Sequence, residues 1–366
     1  MPSKTLLHNA AIFSPLGELD ETAGRLYTGD SGLVPGPWFG MPVACAPCAD
    51  SSPRSFHSCA PALRRSLESS LPRSSSETIF IFCAAKGDVS ALDVPAPHAP
   101  RQTSPLPAKQ AKAAARLLGL EDSPRMTVSN ACASGAVAVD IAKELLDDRE
   151  FEHAVLFGLE GLFRFVVSGF HALGALSPTG ARPFDARRDG LTPGEGAALA
   201  VLSRRAPAPG DIVVAGSATS NDANHRTGPS RTGEGLHRAA AEALRDAGTG
   251  AGDIGGVKCH GTATVYNDAM EAKALTALFG TQTPPCVSVK GALGHTSGAG
   301  SLLEIILAAE WIRRRKLPPT AGYSEHGVDE PVPITTACAS LSIPSMLCLS
   351  AGFGGVNAAV VLKEHE

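Results

Sequence analysis

A chain of 366 residues, 43% hydrophobic and 19% charged, can bury one large or two medium cores and has the balance of a soluble globular protein. Its formal net charge of −4 excludes the dense basic field of a general nucleic-acid binder. No stretch approaches the roughly 18 unbroken apolar residues of a membrane span, and the first residues lack the apolar core of a secretory signal.

In chain order, Lys4 to Pro15 reads as an apolar strand ending in a turn, and Leu19 to Tyr27 as a short helix. Residues 31 to 77, rich in Pro, Ser, Gly and Ala, carry little periodicity and are expected to be irregular. Thr78 to Ala84 is a continuous apolar run bounded by Gly87, the pattern of a buried strand. A proline-rich bridge over residues 94–107 leads to a helix from Ala108 to Leu118. A strand end at Met126 to Ser129 then hands over to a helix whose apolar residues Val137, Ile141 and Leu145 recur at helical spacing. His153 to Phe157 and Ala197 to Ser203 are further strands, and residues 204–210 read as a linker.

The alternation then restarts. Strands are expected at Ile212 to Ser217, Gly256 to Cys259, Cys286 to Val289, Ile334 to Ala339, Met346 to Leu349 and Ala358 to Leu362. Helices are expected at Leu236 to Ala247, Asp268 to Phe279 and Gly300 to Arg314. Two stretches of similar length predict two α/β units side by side, their strands covered on both faces as in parallel sheets.

The nine cysteines, an odd number with several inside apolar runs, fit reduced thiols of a cytoplasmic protein. Cys45, Cys48, His57 and Cys59 have zinc-ligand chemistry, but their Pro- and Ser-rich setting lacks the compact turn of a zinc ribbon, and no metal is expected there.

Four clusters carry chemistry. Cys132 lies where a strand meets a helix N-terminus, among the small residues Ala131, Ala133, Ser134 and Gly135, a setting that favours a thiolate and leaves room for a substrate. His260 ends a short apolar strand and is followed by the hydroxyls of Thr262 and Thr264. His295 sits in a glycine-rich turn opening a helix, five residues after Lys290, at a spacing that is not that of a phosphate-binding loop. Gly352, Gly354 and Gly355 allow a tight turn around Phe353, whose backbone N–H groups suit an oxyanion hole.

Taken together, Asn130-Ala-Cys-Ala-Ser-Gly135, Arg182-Pro-Phe-Asp-Ala-Arg-Arg-Asp-Gly190, His260-Gly-Thr-Ala-Thr264, Lys290 with Gly294-His295, and Gly352-Phe-Gly-Gly355 resemble the β-ketoacyl-acyl carrier protein synthases. These are the condensing enzymes of the thiolase superfamily. The resemblance covers nearly the whole chain. Unlike degradative thiolases, the chain has no second cysteine in its C-terminal turn. Unlike initiating synthases, it pairs the cysteine with two histidines, and unlike chain-length factors it keeps the cysteine. It differs from the elongating synthases of fatty-acid synthesis at Val265-Tyr-Asn-Asp268 and in a short segment between Gly32 and Ala108.

The resemblance implies a thiolase fold: duplicated α/β halves in a five-layer αβαβα sandwich, divided into residues 1–205, with the cysteine and a shortened dimer and cap region, and 211–366, with both histidines. It implies decarboxylative condensation of a Cys132-bound acyl chain with a malonyl group carried on acyl carrier protein, in a type II fatty acid or polyketide system. His260 and His295 would stabilise the enolate, and a buried Lys290–Glu271 ion pair would shape the site. The N–H groups of Cys132 and Phe353 would form the oxyanion hole, with the Phe353 ring as a gate. Thr262, Thr264 and Gly354 would contact substrate, and Phe170 would line the acyl tunnel, although core packing explains Phe170 equally well. No metal or resident cofactor is implied, since the substrates ride on phosphopantetheine. The partners are an acyl carrier protein and a second ketosynthase-like chain, identical or not. For the acidic carrier protein the basic candidates are Arg64, Arg65, Arg187, Arg188 and the run Arg313-Arg-Arg-Lys316, the last better explained as a solvated helix end. The alternatives are a non-condensing partner subunit of a heterodimer, and a decarboxylase or acyltransferase without condensation.

Overall fold

The computed structural model describes residues 3–48, 56–67, 70–73, 75–89, 92 and 106–366, with the backbone alone for 56–58. Among the described residues, ten strands form the body of the sheet, with Gly17–Glu18 pairing beside the first. In the first half they are β1 (Lys4–Ser14), β2 (Thr78–Cys83), β3 (Arg125–Val128), β4 (His153–Glu160) and β5 (Gly196–Arg205). In the second they are β6 (Ile212–Asn221), β7 (Gly256–Lys258), β8 (Cys286–Val287), β9 (Ser345–Gly352) and β10 (Val356–Glu364).

The first half is ordered β1-β5-β4-β2-β3 and the second β6-β10-β9-β7-β8. Each strand of one half thus has a counterpart in the other, and the sense of pairing repeats as well. β5 lies antiparallel to both its neighbours, as does β10, while β2 and β7 lie parallel to theirs. The halves meet at one pairing, Leu6 with Val213. The duplication that element order suggested is therefore present, but the sheets are mixed rather than wholly parallel. A strand buried on both faces, such as Thr78–Cys83, has the same apolar composition in either direction.

Seven helices are relevant to the layers and the site: α1 (Phe56–Ser66), α2 (Pro107–Leu118), α3 (Ser134–Asp147), α4 (Arg164–Ala172), α5 (Glu234–Asp246), α6 (Val265–Phe279) and α7 (Ser297–Arg314). α3 and α7 pack against each other between the sheets, in a core that draws side chains from both halves. α1 and α2 cover the outer face of the first sheet, and α5 and α6 that of the second. This is the five-layer sandwich. A central helix must be apolar all round, and α7 is: from Ser297 to Ile312 every residue but Glu310 is buried. Close approach needs residues without side chains. A Cβ on Gly135 would lie 2.3 Å from the Leu302 nitrogen, and one on Gly298 would lie 2.1 Å from the Ala85 nitrogen.

Two expectations need correction. Residues 31–77 are not simply irregular: Val34–Trp38 pairs with Met41–Cys45 as a hairpin, and α1 follows. The prolines conceal this, since a two-stranded ribbon tolerates them where a central strand cannot. Ile334 to Ala339 is not a strand: Ile334 makes one bridge to Cys286, and only Ala339–Ser340 pairs, with Lys316–Leu317. Cys45 and Cys59 fall in separate apolar clusters, and the His57 side chain lies outside the described residues. No described helix is long and apolar enough to cross a membrane.

Candidate active site

The crossovers after β3 and β8 are equivalent in the two halves, and each places one reactive side chain. Cys132 precedes α3, which starts at Ser134, by the same two residues by which His295 precedes α7, which starts at Ser297. The turn Ala131–Ala133 bends the chain sharply between β3 and α3, with Ala131 held at φ 50°. Ser297 at φ 41° and Ala263 at φ 66° show the same left-handed strain beside His295 and between Thr262 and Thr264. Such strain persists where the surrounding packing over-determines the backbone, commonly at functional sites.

His260 emerges from the end of β7 and meets His295 edge-on, ring centroids 5.5 Å apart at 84°. Cys132, His260 and His295 are all more than nine-tenths buried, and all three line one cavity of about 400 Å3. The Phe353 backbone N–H, in the turn between β9 and β10, lies near enough to the Cys132 sulfur to favour its thiolate. Gly352 makes room for this. A Cβ there would lie 3.2 Å from the Cys132 nitrogen and 3.1 Å from the Asn130 oxygen.

The electrostatics separate the three groups. Burial pushes the Cys132 thiol up to about 11, with Lys290 the strongest opposing pull. Burial thus opposes the thiolate that Lys290 favours. Burial, reinforced by Lys290, pulls His295 down to about 3 and His260 well below the ordinary range. Both imidazoles are neutral, and the Nδ1 atom of each is buried without a hydrogen-bond partner.

The expected Lys290–Glu271 pair does not form. Lys290 Nζ donates to Glu304 Oε1 at 2.5 Å and to the His260 carbonyl at 2.6 Å. Glu271 instead accepts the backbone N–H groups of His260, at 2.6 Å, and Gly261, at 2.7 Å, and burial raises it to about 7. α6 brings Glu271 beneath the turn, where backbone donors already satisfy it, whereas α7 carries Glu304 past the ammonium. Sequence reading missed Glu304. The available signal was a carboxylate inside the apolar run from Leu302 to Trp311, where an acid is buried only with a partner.

Thr262 and Thr264 share a 3.0 Å hydroxyl contact and line the cavity. Phe170, on α4, is a half-buried wall of the cavity and not part of the core, and its ring meets Phe353 edge-on at 5.9 Å. Gly354 stands outside the lining. Its N–H donates to the Arg226 carbonyl at 2.7 Å, and with φ 89° it serves the turn. Asp222 and Asn357, bonded at 2.9 Å, also line the cavity and were not anticipated.

The profile described as "Beta-ketoacyl synthase, N-terminal domain" matches residues 83–208, and "Beta-ketoacyl synthase, C-terminal domain" matches 212–324. The chain belongs to the β-ketoacyl synthase family. Among these synthases it is 34% identical to 3-oxoacyl-(acyl-carrier-protein) synthase 2 of Rhizobium meliloti, over 73% of this chain and 68% of that protein. It is 32% identical to the putative polyketide beta-ketoacyl synthase 1 of Streptomyces halstedii, over 74% and 67%. The structure titled "The ishigamide ketosynthase/chain length factor" superposes with a TM-score of 0.87 at 25% identity, covering 100% of both chains. The family is one of condensing enzymes of the thiolase fold, as the sequence resemblance implied.

Proposed function

We propose that the chain is an elongating ketosynthase that condenses an acyl group held on Cys132 with a malonyl group delivered by acyl carrier protein. The observation that carries this reading is the convergence of one thiol and two neutral imidazoles on one cavity that Phe353 also lines.

The chemistry follows from these states. Cys132 Sγ attacks the carrier-bound thioester and the carrier thiolate leaves, taking the proton that Cys132 gives up. The oxygen that becomes negative in the tetrahedral intermediate would be received by the Cys132 and Phe353 N–H groups. Malonyl thioester then enters along the side lined by Thr262 and Thr264. Loss of CO2 leaves its electron pair as an enolate, and His260 and His295 donate to that oxygen. An imidazole at this point must be neutral to accompany the charge without surrendering a proton outright, which is what burial and Lys290 enforce. The enolate carbon attacks the Cys132 thioester carbonyl, and collapse of the adduct expels the Cys132 thiolate. No metal or resident cofactor takes part, since phosphopantetheine arrives with the substrate.

The reading extends to organisation. Halves bounded at 1–205 and 211–366 are supported by the repeated strand order and by the change of matched domain profile between 208 and 212. A cytoplasmic setting suits nine cysteines that all stand as thiols. The likeness to a ketosynthase/chain length factor structure favours pairing with a second ketosynthase-like chain as the alternative to a homodimer.

Incubation with acyl- and malonyl-carrier protein tests the reaction: β-ketoacyl product is expected, CO2 alone would indicate a decarboxylase, and neither would indicate a silent partner subunit. Cys132→Ala should abolish the acyl-enzyme adduct seen by intact-protein mass spectrometry. His295→Ala should slow decarboxylation about 100-fold or more while acyl loading survives. Equal loss of both steps would remove the division of labour.

A further inference from the structure

Lys258 is fully buried in β7, two residues before His260, and no step above uses it. Its Nζ donates to Glu304 Oε2 at 2.6 Å and to the Leu349 carbonyl at 2.5 Å. The other Glu304 oxygen is held by Lys290 at 2.5 Å. One buried carboxylate therefore accepts from two ammonium groups, while the next acid, Glu271, is held by the backbone N–H groups of His260 and Gly261. Burial opposes charge on Lys258, but Glu304 outweighs it, and the two lysines in turn hold Glu304 ionised.

The position of this cation is specific. β7 ends at Lys258 and leads into His260, α7 follows His295, and β9 runs through Leu349 to Gly352, just before Phe353. Lys258 touches two of these elements and belongs to the third. We propose that Lys258 is a positioning residue for the decarboxylation step: its charge sits behind both imidazoles, favours the enolate they bind, and fixes the three segments that build the site. A tether alone would need only a neutral hydrogen-bond donor. Burying an additional ammonium is costly, so the charge itself is assigned the role.

The charged and titratable groups facing the Lys258–Glu304 centre are Lys290 in the turn before His295, Glu271 on α6, Cys348 on β9, and the two histidines. Lys258 and Lys290 both act against protonation of His260 and His295. Removing Lys258 therefore lets each imidazole accept a proton at higher pH.

The inference rests on the condensing reading, and wild-type release of CO2 from malonyl carrier protein is measured first, so that failure there is separate from failure of Lys258. Lys258→Met leaves Glu304 paired with Lys290 and creates no unpaired carboxylate. Expected are a retained fold by circular dichroism, acyl loading of Cys132 within about twofold of wild type, and decarboxylation about tenfold slower. The acid limb of its pH–rate profile should move to higher pH. Lys258→Gln, which keeps a donor but no charge, should behave like the Met variant. Recovery of wild-type decarboxylation by Gln would overturn the assignment. So would an unchanged acid limb in either variant, or loss of folding in both, which would make Lys258 a structural tie.

Discussion

A histidine that stays neutral in the fold but takes a proton when unfolded makes stability depend on pH. His295 is held down to about 3, against an ordinary value near 6.5 in the unfolded chain. Its share of stability is complete above 6.5 and is lost as pH falls towards 3, because the unfolded state then binds the extra proton. At pH 5 that loss is about 2 kcal/mol. Glu271 works in the opposite direction: raised to about 7 by burial, it takes up its proton in the fold first, so stability is gained as pH falls from 7 towards 4.5. The two partly cancel in the wild type, and single variants separate them. Between pH 7 and 5 the urea midpoint of His295→Asn should fall less than that of wild type, and that of Glu271→Gln should fall more. Parallel shifts in all three would contradict the burial of these groups. At this scale Cys132, His260 and His295 stood out in the sequence because Cys132 and His260 follow a strand beside small residues and His295 sits in a glycine-rich turn opening a helix. The ion pairs were not. Whether Lys290 meets Glu271 or Glu304 depends on which helix passes behind it, and local spacing does not encode that.

The central helices set the register between the halves, and their separation is controlled by glycine. Gly135→Ala would drive a Cβ to 2.3 Å from the Leu302 nitrogen and 2.7 Å from its Cβ, so α3 or α7 must move as a unit. Overpacking of this kind costs about 1–3 kcal/mol. Because Cys132 and His295 head these two helices, acyl loading and decarboxylation should both decline. Gly169→Ala on α4 is the control: no atom lies within 4 Å of the added methyl, and a helix-interior alanine should gain about 0.5–1 kcal/mol. Thermal melts of the two variants should move in opposite directions; movement in the same direction would mean that α3 and α7 are not closely packed. The crossovers were readable from alternating apolar strands and amphipathic helices. The antiparallel strands β5 and β10 were not distinguishable from parallel ones, and the hairpin at 34–45 was hidden by Pro35, Pro37 and Pro42.

For the whole molecule, the proposed reaction would bring an acidic carrier protein to a chain of net charge −4. Most candidate cations are engaged within the chain. Arg187 bonds Asp185 and Ser324, and Arg188 bonds the carbonyls of Asp185 and Gly327. Arg313 and Arg314 pair with Glu310, Arg314 also with Asp20, Arg315 pairs with Glu364, and Lys316 lies over the Tyr27 ring. That run is therefore a neutralised helix end, as its position at the C-terminus of α7 suggested. On the last turn of α1, exposed Arg64 donates to the Leu117 carbonyl, which leaves exposed Arg65 as the better contact for an acidic partner. Complementary charges at the rim act chiefly on encounter and are screened by salt. Arg65→Glu should raise KM for the acyl carrier protein several-fold at low ionic strength, with kcat nearly unchanged and the difference shrinking as salt is added. Arg313→Glu should leave KM close to wild type. If the two variants respond alike across the salt series, the carrier protein docks elsewhere, and the last turn of α1 is only a solvated surface.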